Sequence, residues 1–118
     1  MGDLSANFSR SELACQCGCG FDTVDSELLT MLETVRQHFE LPMKIMSGCR
    51  CITHNESVGG AANSQHLVGK AADIKVHGIL PAEVQAYTHY IWPDQYGIGT
   101  YSSFTHLDSR SVKARWEG

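Results

Sequence analysis

The chain has 118 residues, enough for one domain over 1–118 with one core and too few for two. Its 42% hydrophobic and 19% charged residues are those of a folded globular domain rather than a disordered one. A net charge of −4 argues against a general nucleic-acid binder, which needs surplus Lys and Arg to neutralise phosphates. The small basic cluster Arg110, Lys113 and Arg115 reads as a solvated terminal strand.

At the N-terminus, MGDLSANFSRSEL lacks the basic-then-apolar order of a secretory signal. No stretch approaches the roughly 18 apolar residues of a membrane span. Both features predict a chain made in the cytoplasm with no membrane partner, any extracellular target being reached by another route. Phe8-Ser9-Arg10-Ser11-Glu12-Leu13 predicts a short helix start, with Ser9 as N-cap, Glu12 as its capping-box partner, and Phe8 and Leu13 as a hydrophobic staple. The glycines of CQCGCG then break that helix.

Five cysteines fall in two clusters, Cys15, Cys17 and Cys19, then Cys49 and Cys51. An odd count without a signal argues against a complete disulfide framework. The Cys-x-Cys spacing also differs from the Cys-x-x-Cys knuckles usual in structural zinc sites. The clusters are expected to lie close in space, either as small buried residues in a Gly-rich turn or as a bridge under oxidising conditions. A secondary metal site is the sharper alternative.

Leu28, Leu29, Leu32, Val35 and Phe39 recur at helical spacing and predict a core helix over about 26–39 with Asp25 as N-cap. His38, near its end, suits the helix dipole and reads as structural. MKIMS predicts a strand ending at Gly48. Cys49 to Asn63 reads as one long polar loop, a type of segment that is often functional. AADIKV predicts a second strand, stopped by His77-Gly78. Pro81 opens a helix over about 81–91, with Val84, Tyr87 or Thr88, and Ile91 towards the core and His89 at the surface or in packing. GIGTY and FTHLDS predict two strands joined by a short turn, and VKARW a third. Helices and strands mix without βαβ regularity, which predicts a single α+β domain with a small, mostly antiparallel sheet and two main helices.

Among six histidines, His66 and His106 stand apart. His66 precedes Gly69 and the strand carrying Asp73. His106 lies in a strand with Asp108 two residues on, so the two side chains share a face. Two imidazoles and one carboxylate make a catalytic zinc shell with a position left for water, which the ion activates near neutral pH. The alternative is structural: His66 capping a loop, Asp73 in a surface pair and His106 satisfied in the core. On spacing alone the structural reading is the commoner.

The stretch SQHLVGKAAD, residues 64–73, resembles the Ser-x-His-x-x-Gly-x-Ala-x-Asp signature of zinc D-Ala-D-Ala carboxypeptidases and related peptidoglycan peptidases, within the lysostaphin, D-Ala-D-Ala metallopeptidase and hedgehog superfamily. Ser47-Gly48-Cys49-Arg50, His54-Asn55 and Val58-Gly59-Gly60-Ala61 resemble the segments upstream of it. Phe104-Thr105-His106-Leu107-Asp108 resembles the branch with an aspartate two residues beyond the last ligand. The blocks keep their order from about residue 8 to residue 116.

That resemblance implies the fold of these peptidases, one zinc per chain held by His66, Asp73 and His106, and Arg50 binding a substrate oxygen and stabilising the oxyanion. It implies Ser64 at the edge of the site, hydrogen-bonding substrate or a ligand. Arg50 as a surface ion-pair residue and Ser64 as a loop cap are the alternatives. Relatives carry a proton acceptor three or two residues before the last histidine, where this chain has Ser103 and Phe104. Asp108 is then either the general base, passing a proton to the leaving amine, or the carboxylate that orients His106 through its ring N–H. In the second case His54 and His77 become candidate bases.

The implied activity is hydrolysis of a peptide bond in peptidoglycan stem peptides or crosslinks, by a carboxypeptidase or endopeptidase acting as a monomer. A phage-type lysin released by a holin, or a domain of a phage particle, suits the missing signal. A zinc-bearing module of the same fold without turnover is the alternative. A redox or metal-sensing protein built on the thiols is a third reading.

Overall fold

A computed structural model describes residues 4–60 and 64–118; Met1 to Asp3, and with them Ala61 and Asn63 of the segments discussed above, lie outside the described residues. Helix α1 is Arg10–Leu13, and Glu12 Oε1 accepts from the Ser9 N–H at 2.8 Å, as the capping pattern predicts. Phe8 and Leu13 are both 1% exposed and close the staple against the core. Helix α2, Ser26–Phe39, is capped by Asp25, whose carboxylate accepts from the Leu28 N–H at 3.1 Å. It buries Leu28, Met31, Leu32 and Val35. His38 stacks on Tyr87 at 3.5 Å between ring centroids, so it is a packing residue.

Strands β1 (Met43–Ser47), β2 (Ala71–Val76), β3 (Gly97–Thr100), β4 (Thr105–Asp108) and β5 (Ala114–Glu117) form one sheet in the order β1-β2-β4-β3-β5. All pairs are antiparallel except β3 with β5, so the sheet is mixed and mostly antiparallel, within an α+β fold. Ala72, Ile74, Ile98 and Leu107 carry the core with α2 and with α4, Pro81–Ile91, which buries Val84 and Thr88. Residues one position along these strands, Asp73, Gly99 and His106, alternate to the opposite face.

The expected loop from Cys49 contains a helix, α3, Ile52–Ser57. Six residues are too few to show a helical apolar period. The turn is held by capping instead: the His54 N–H donates to Cys51 Sγ at 3.4 Å, and Asn55 is buried at 3%. The basic cluster also departs from a solvated strand, though Lys113 is exposed. Arg115 donates to the carbonyls of Trp92 (2.6 Å), Gln95 (3.1 Å), Tyr96 (2.6 Å) and Ala114 (2.9 Å), and to His89 Nδ1 at 3.0 Å. Its guanidinium thereby ties β5 to the end of α4. Among the described residues no helix is long and apolar enough to cross a membrane.

Candidate metal centre

Sheet register sets the site. Asp73 on β2 lies opposite His106 on β4, which lies opposite Gly99 on β3, itself paired with Trp116 on β5. Two residues along, on the same face, Ala71, Asp108, Gly97 and Ala114 follow the same order. The glycines make room: a Cβ on Gly97 would lie 2.3 Å from the Asp108 carboxylate, and one on Gly99 would lie 2.5 Å from the Trp116 indole. At the edge, β1 and β2 slip register between Ile45 and Ser47, setting Ser47 opposite Asp73.

His66 arrives from outside the sheet, on a single 3₁₀ turn over Gln65–Val68 rather than in open loop. Ser64 caps the turn, its Oγ accepting from the His66 N–H at 3.2 Å. Gly69 ends it with φ +71, where a Cβ would strike the Thr23 carbonyl at 2.3 Å. This left-handed step turns the chain from His66 into β2 and Asp73.

The three side chains meet. His66 Nε2 is 3.3 Å and His106 Nδ1 3.0 Å from the same oxygen, Asp73 Oδ1. All three residues are buried, at 2%, 8% and 7% exposure for His66, His106 and Asp73. The outer atom of His66 fixes its tautomer, and at His106, which has a carboxylate at each ring nitrogen, the shorter contact on the outer nitrogen favours the same arrangement. His66 Nδ1–H donates to the Gly48 carbonyl at 2.6 Å, and a carbonyl can only accept. His106 Nε2–H donates to Asp108 Oδ2 at 2.8 Å. With those protons placed outward, three lone-pair atoms face one point and repel unless a positive charge sits among them. Tetrahedral coordination with bonds of 2.0–2.2 Å would separate such donors by about 3.3 Å, close to the spacing found. The residues fit a metal ion, which is the group the sequence implies.

Arg50 extends the site. Its Nη2 is 3.3 Å from Asp73 Oδ2, while Nε donates to Ser47 Oγ and Nη1 to Asn55 Oδ1, both at 3.2 Å. Asn55 is a positioning residue for Arg50, a role that its place in the His54-Asn55 pair does not reveal. A Cβ on Gly60 would lie 2.0 Å from its Oδ1, so the glycine leaves space for that contact.

Asp108 faces the nitrogen of His106 that points away from Asp73, and it has no exposed surface. Arg110 grips both of its oxygens, Nε to Oδ1 at 2.8 Å and Nη2 to Oδ2 at 2.7 Å. The same guanidinium lies 5.2 Å over the Trp116 ring, whose centroid is 5.0 Å from that of His106. Arg110 therefore belongs to the site and not to a solvated strand. Burial raises the pKa of Asp108, but the bonds from His106 and Arg110 outweigh it and hold the carboxyl well below the usual range. Burial likewise opposes ionisation of Asp73, and the bonds from His106 and His66 more than offset it.

The other sequence candidates are not among the converging donors. His77 is four residues beyond Asp73, about 13 Å away at the rise of a strand. With Ser103 it lines a cavity of about 770 Å³ that contains none of the three converging residues. His54 sits on α3, and Phe104 stacks on Tyr101 at 4.4 Å. Arg110 and the Gly48 carbonyl could not be found from sequence, since each acts only through a contact made by the fold. No curated protein matches the chain. A family model described as Peptidase M15 matches residues 6–108.

Proposed function

The chain belongs to the peptidase M15 family, and from that membership we propose that it is a zinc metallopeptidase hydrolysing peptide bonds in bacterial peptidoglycan, as a D-Ala-D-Ala carboxypeptidase or a murein endopeptidase. The observation that carries this reading is the convergence of His66 Nε2, His106 Nδ1 and Asp73 Oδ1 with their outer protons already committed. Zinc held by these atoms supplies Lewis acidity and lowers the pKa of water towards neutrality.

The remaining work falls to the chain's own side chains. The Gly48 carbonyl and Asp108 keep protons on His66 Nδ1 and His106 Nε2, leaving the inner nitrogens free as donors. Arg50, next to Asp73 Oδ2, presents a fixed cation to a substrate carboxylate or to the carbonyl oxygen on which charge develops. Ser64, at the edge of the His66 turn, binds the peptide. Asp108 positions His106; its own oxygens are engaged on the side away from the converging atoms. The protein acts at the cell wall as a one-domain monomer.

A second reading, a zinc-bearing module of this fold without turnover, rests on that engagement of Asp108, which leaves the proton-accepting step without an assigned side chain. Chelation separates the two. Turnover of purified peptidoglycan is expected to vanish with a strong chelator and to return with added zinc. Turnover indifferent to chelation contradicts the metallopeptidase reading, and none at full zinc loading supports the inactive module.

A further inference from the structure

Nothing in the site above uses the cysteines, yet the fold gathers four of the five. Cys15, Cys17 and Cys19 lie in the segment between α1 and α2, and Cys51 is the N-cap of α3. Cys17 Sγ is 3.4 Å from Cys15 Sγ and 3.6 Å from Cys51 Sγ, and all four sulfurs lie within 4.8 Å of one another. Four thiolates around one zinc ion, at bonds of about 2.3 Å, stand roughly 3.8 Å apart.

Local geometry explains how so unusual a spacing converges. In an extended strand, alternate residues face one side but are separated by about 6.8 Å, too far to share an ion. Gly18, between Cys17 and Cys19, has φ +80, which bends the segment and draws the sulfurs together. Two backbone donors point at the cluster: the Cys51 N–H to Cys15 Sγ and the His54 N–H to Cys51 Sγ, both at 3.4 Å. Such donors favour the thiolate form and orient it, as the outer partners of metal ligands do. Cys49 is left out; its thiol donates to the Phe21 carbonyl at 3.1 Å.

The segment has reason to need a cross-link. Gln16 to Gly20 are exposed, and Cys15 is the buried residue that anchors them. Cys51 directly follows Arg50, and Gly48 three residues earlier holds the tautomer of His66. A staple at Cys51 would therefore fix the stretch that carries both.

We propose that Cys15, Cys17, Cys19 and Cys51 bind a second zinc ion in a closed structural site, independent of His66, Asp73 and His106. Four soft sulfur donors leave no position for water, which makes the site structural and selects zinc over harder cations. Each thiol gives up its proton to solvent as the ion binds.

The test is metal content of the full chain purified under reductant, with cobalt substitution as the spectroscopic readout. Wild type is expected to hold about two zinc ions per chain, and His66→Ala, Cys51→Ser and Cys17→Ser about one each, while Cys49→Ser retains both. Cobalt in His66→Ala should give intense thiolate-to-metal charge-transfer absorption, which Cys51→Ser abolishes. If a cysteine variant does not fold, the cobalt spectrum of His66→Ala decides, because it alters no cysteine. About one zinc in wild type that disappears entirely in His66→Ala overturns the proposal. So do the absence of sulfur–cobalt absorption, and iron with sulfide in place of zinc.

Discussion

Asp108 has no exposed surface, and Arg110 and the His106 ring use both of its oxygens. A carboxylate held this way fixes the imidazole tautomer and raises the basicity of the opposite nitrogen. Asp108→Asn places an amide N–H₂ against either Arg110 or the His106 ring N–H, and cannot satisfy both. Zinc affinity is expected to fall by about 10–100-fold, measured by competition with a chelator, with turnover restored at saturating zinc. Collapsed turnover at unchanged zinc affinity would instead assign proton transfer to Asp108. His66, Asp73 and His106 were legible as a set through the resemblance of residues 64–73 and 104–108 to a peptidase signature; spacing alone favoured a structural role, because what brings them together is the pairing of β2 with β4. Arg110 was not: its two-residue separation from Asp108 reads as ordinary surface charge until the end of β4 is seen to fold it back.

At the level of elements, α2 does more than fill the core. Glu33 on its partly buried face accepts from Ser5 Oγ at 2.5 Å and from the Asn7 N–H and Nδ2 at 2.7 and 2.6 Å, tying the N-terminal segment to the helix. Burial raises the Glu33 pKa, but these donors and the charge of Arg36 lower it further, below the ordinary 4.5. A depressed carboxylate contributes stability fully above its unfolded pKa and loses it as pH falls through the folded one. The stability difference between wild type and Glu33→Gln in urea is therefore expected to be constant near neutrality and to shrink below about pH 4. A difference unchanged down to about pH 3 would show that the carboxylate form contributes nothing. The long helices and the strands β1 to β5 were legible because apolar period and caps are written locally. Helix α3 was not, being short and held by a cysteine cap. Neither was the parallel pairing of β5 with β3, a contact between distant segments that leaves no local mark.

Across the whole molecule, the sheet separates two tasks. One face packs Ala72, Ile74, Ile98 and Leu107 with α2 and α4, and the other turns Asp73, His106 and Asp108 towards the turn that carries His66. An α+β fold with a mostly antiparallel sheet followed from the sequence, but the strand order did not, since pairing across many residues leaves no local mark. The order matters because it alone sets Asp73 beside His106 and Gly99 beneath Trp116. We propose that this face, loaded with zinc, hydrolyses peptide bonds of peptidoglycan. The most direct test is incubation of purified peptidoglycan in heavy-oxygen water with zinc-loaded wild type or His66→Ala, followed by mass spectrometry of both the released products and the muramidase-digested wall. Wild type should generate, at each cut bond, a new free amine on one product and a new carboxyl end carrying heavy oxygen on the other, and His66→Ala should generate neither. The same labelled products from both proteins would show that the His66 site does not carry the hydrolysis.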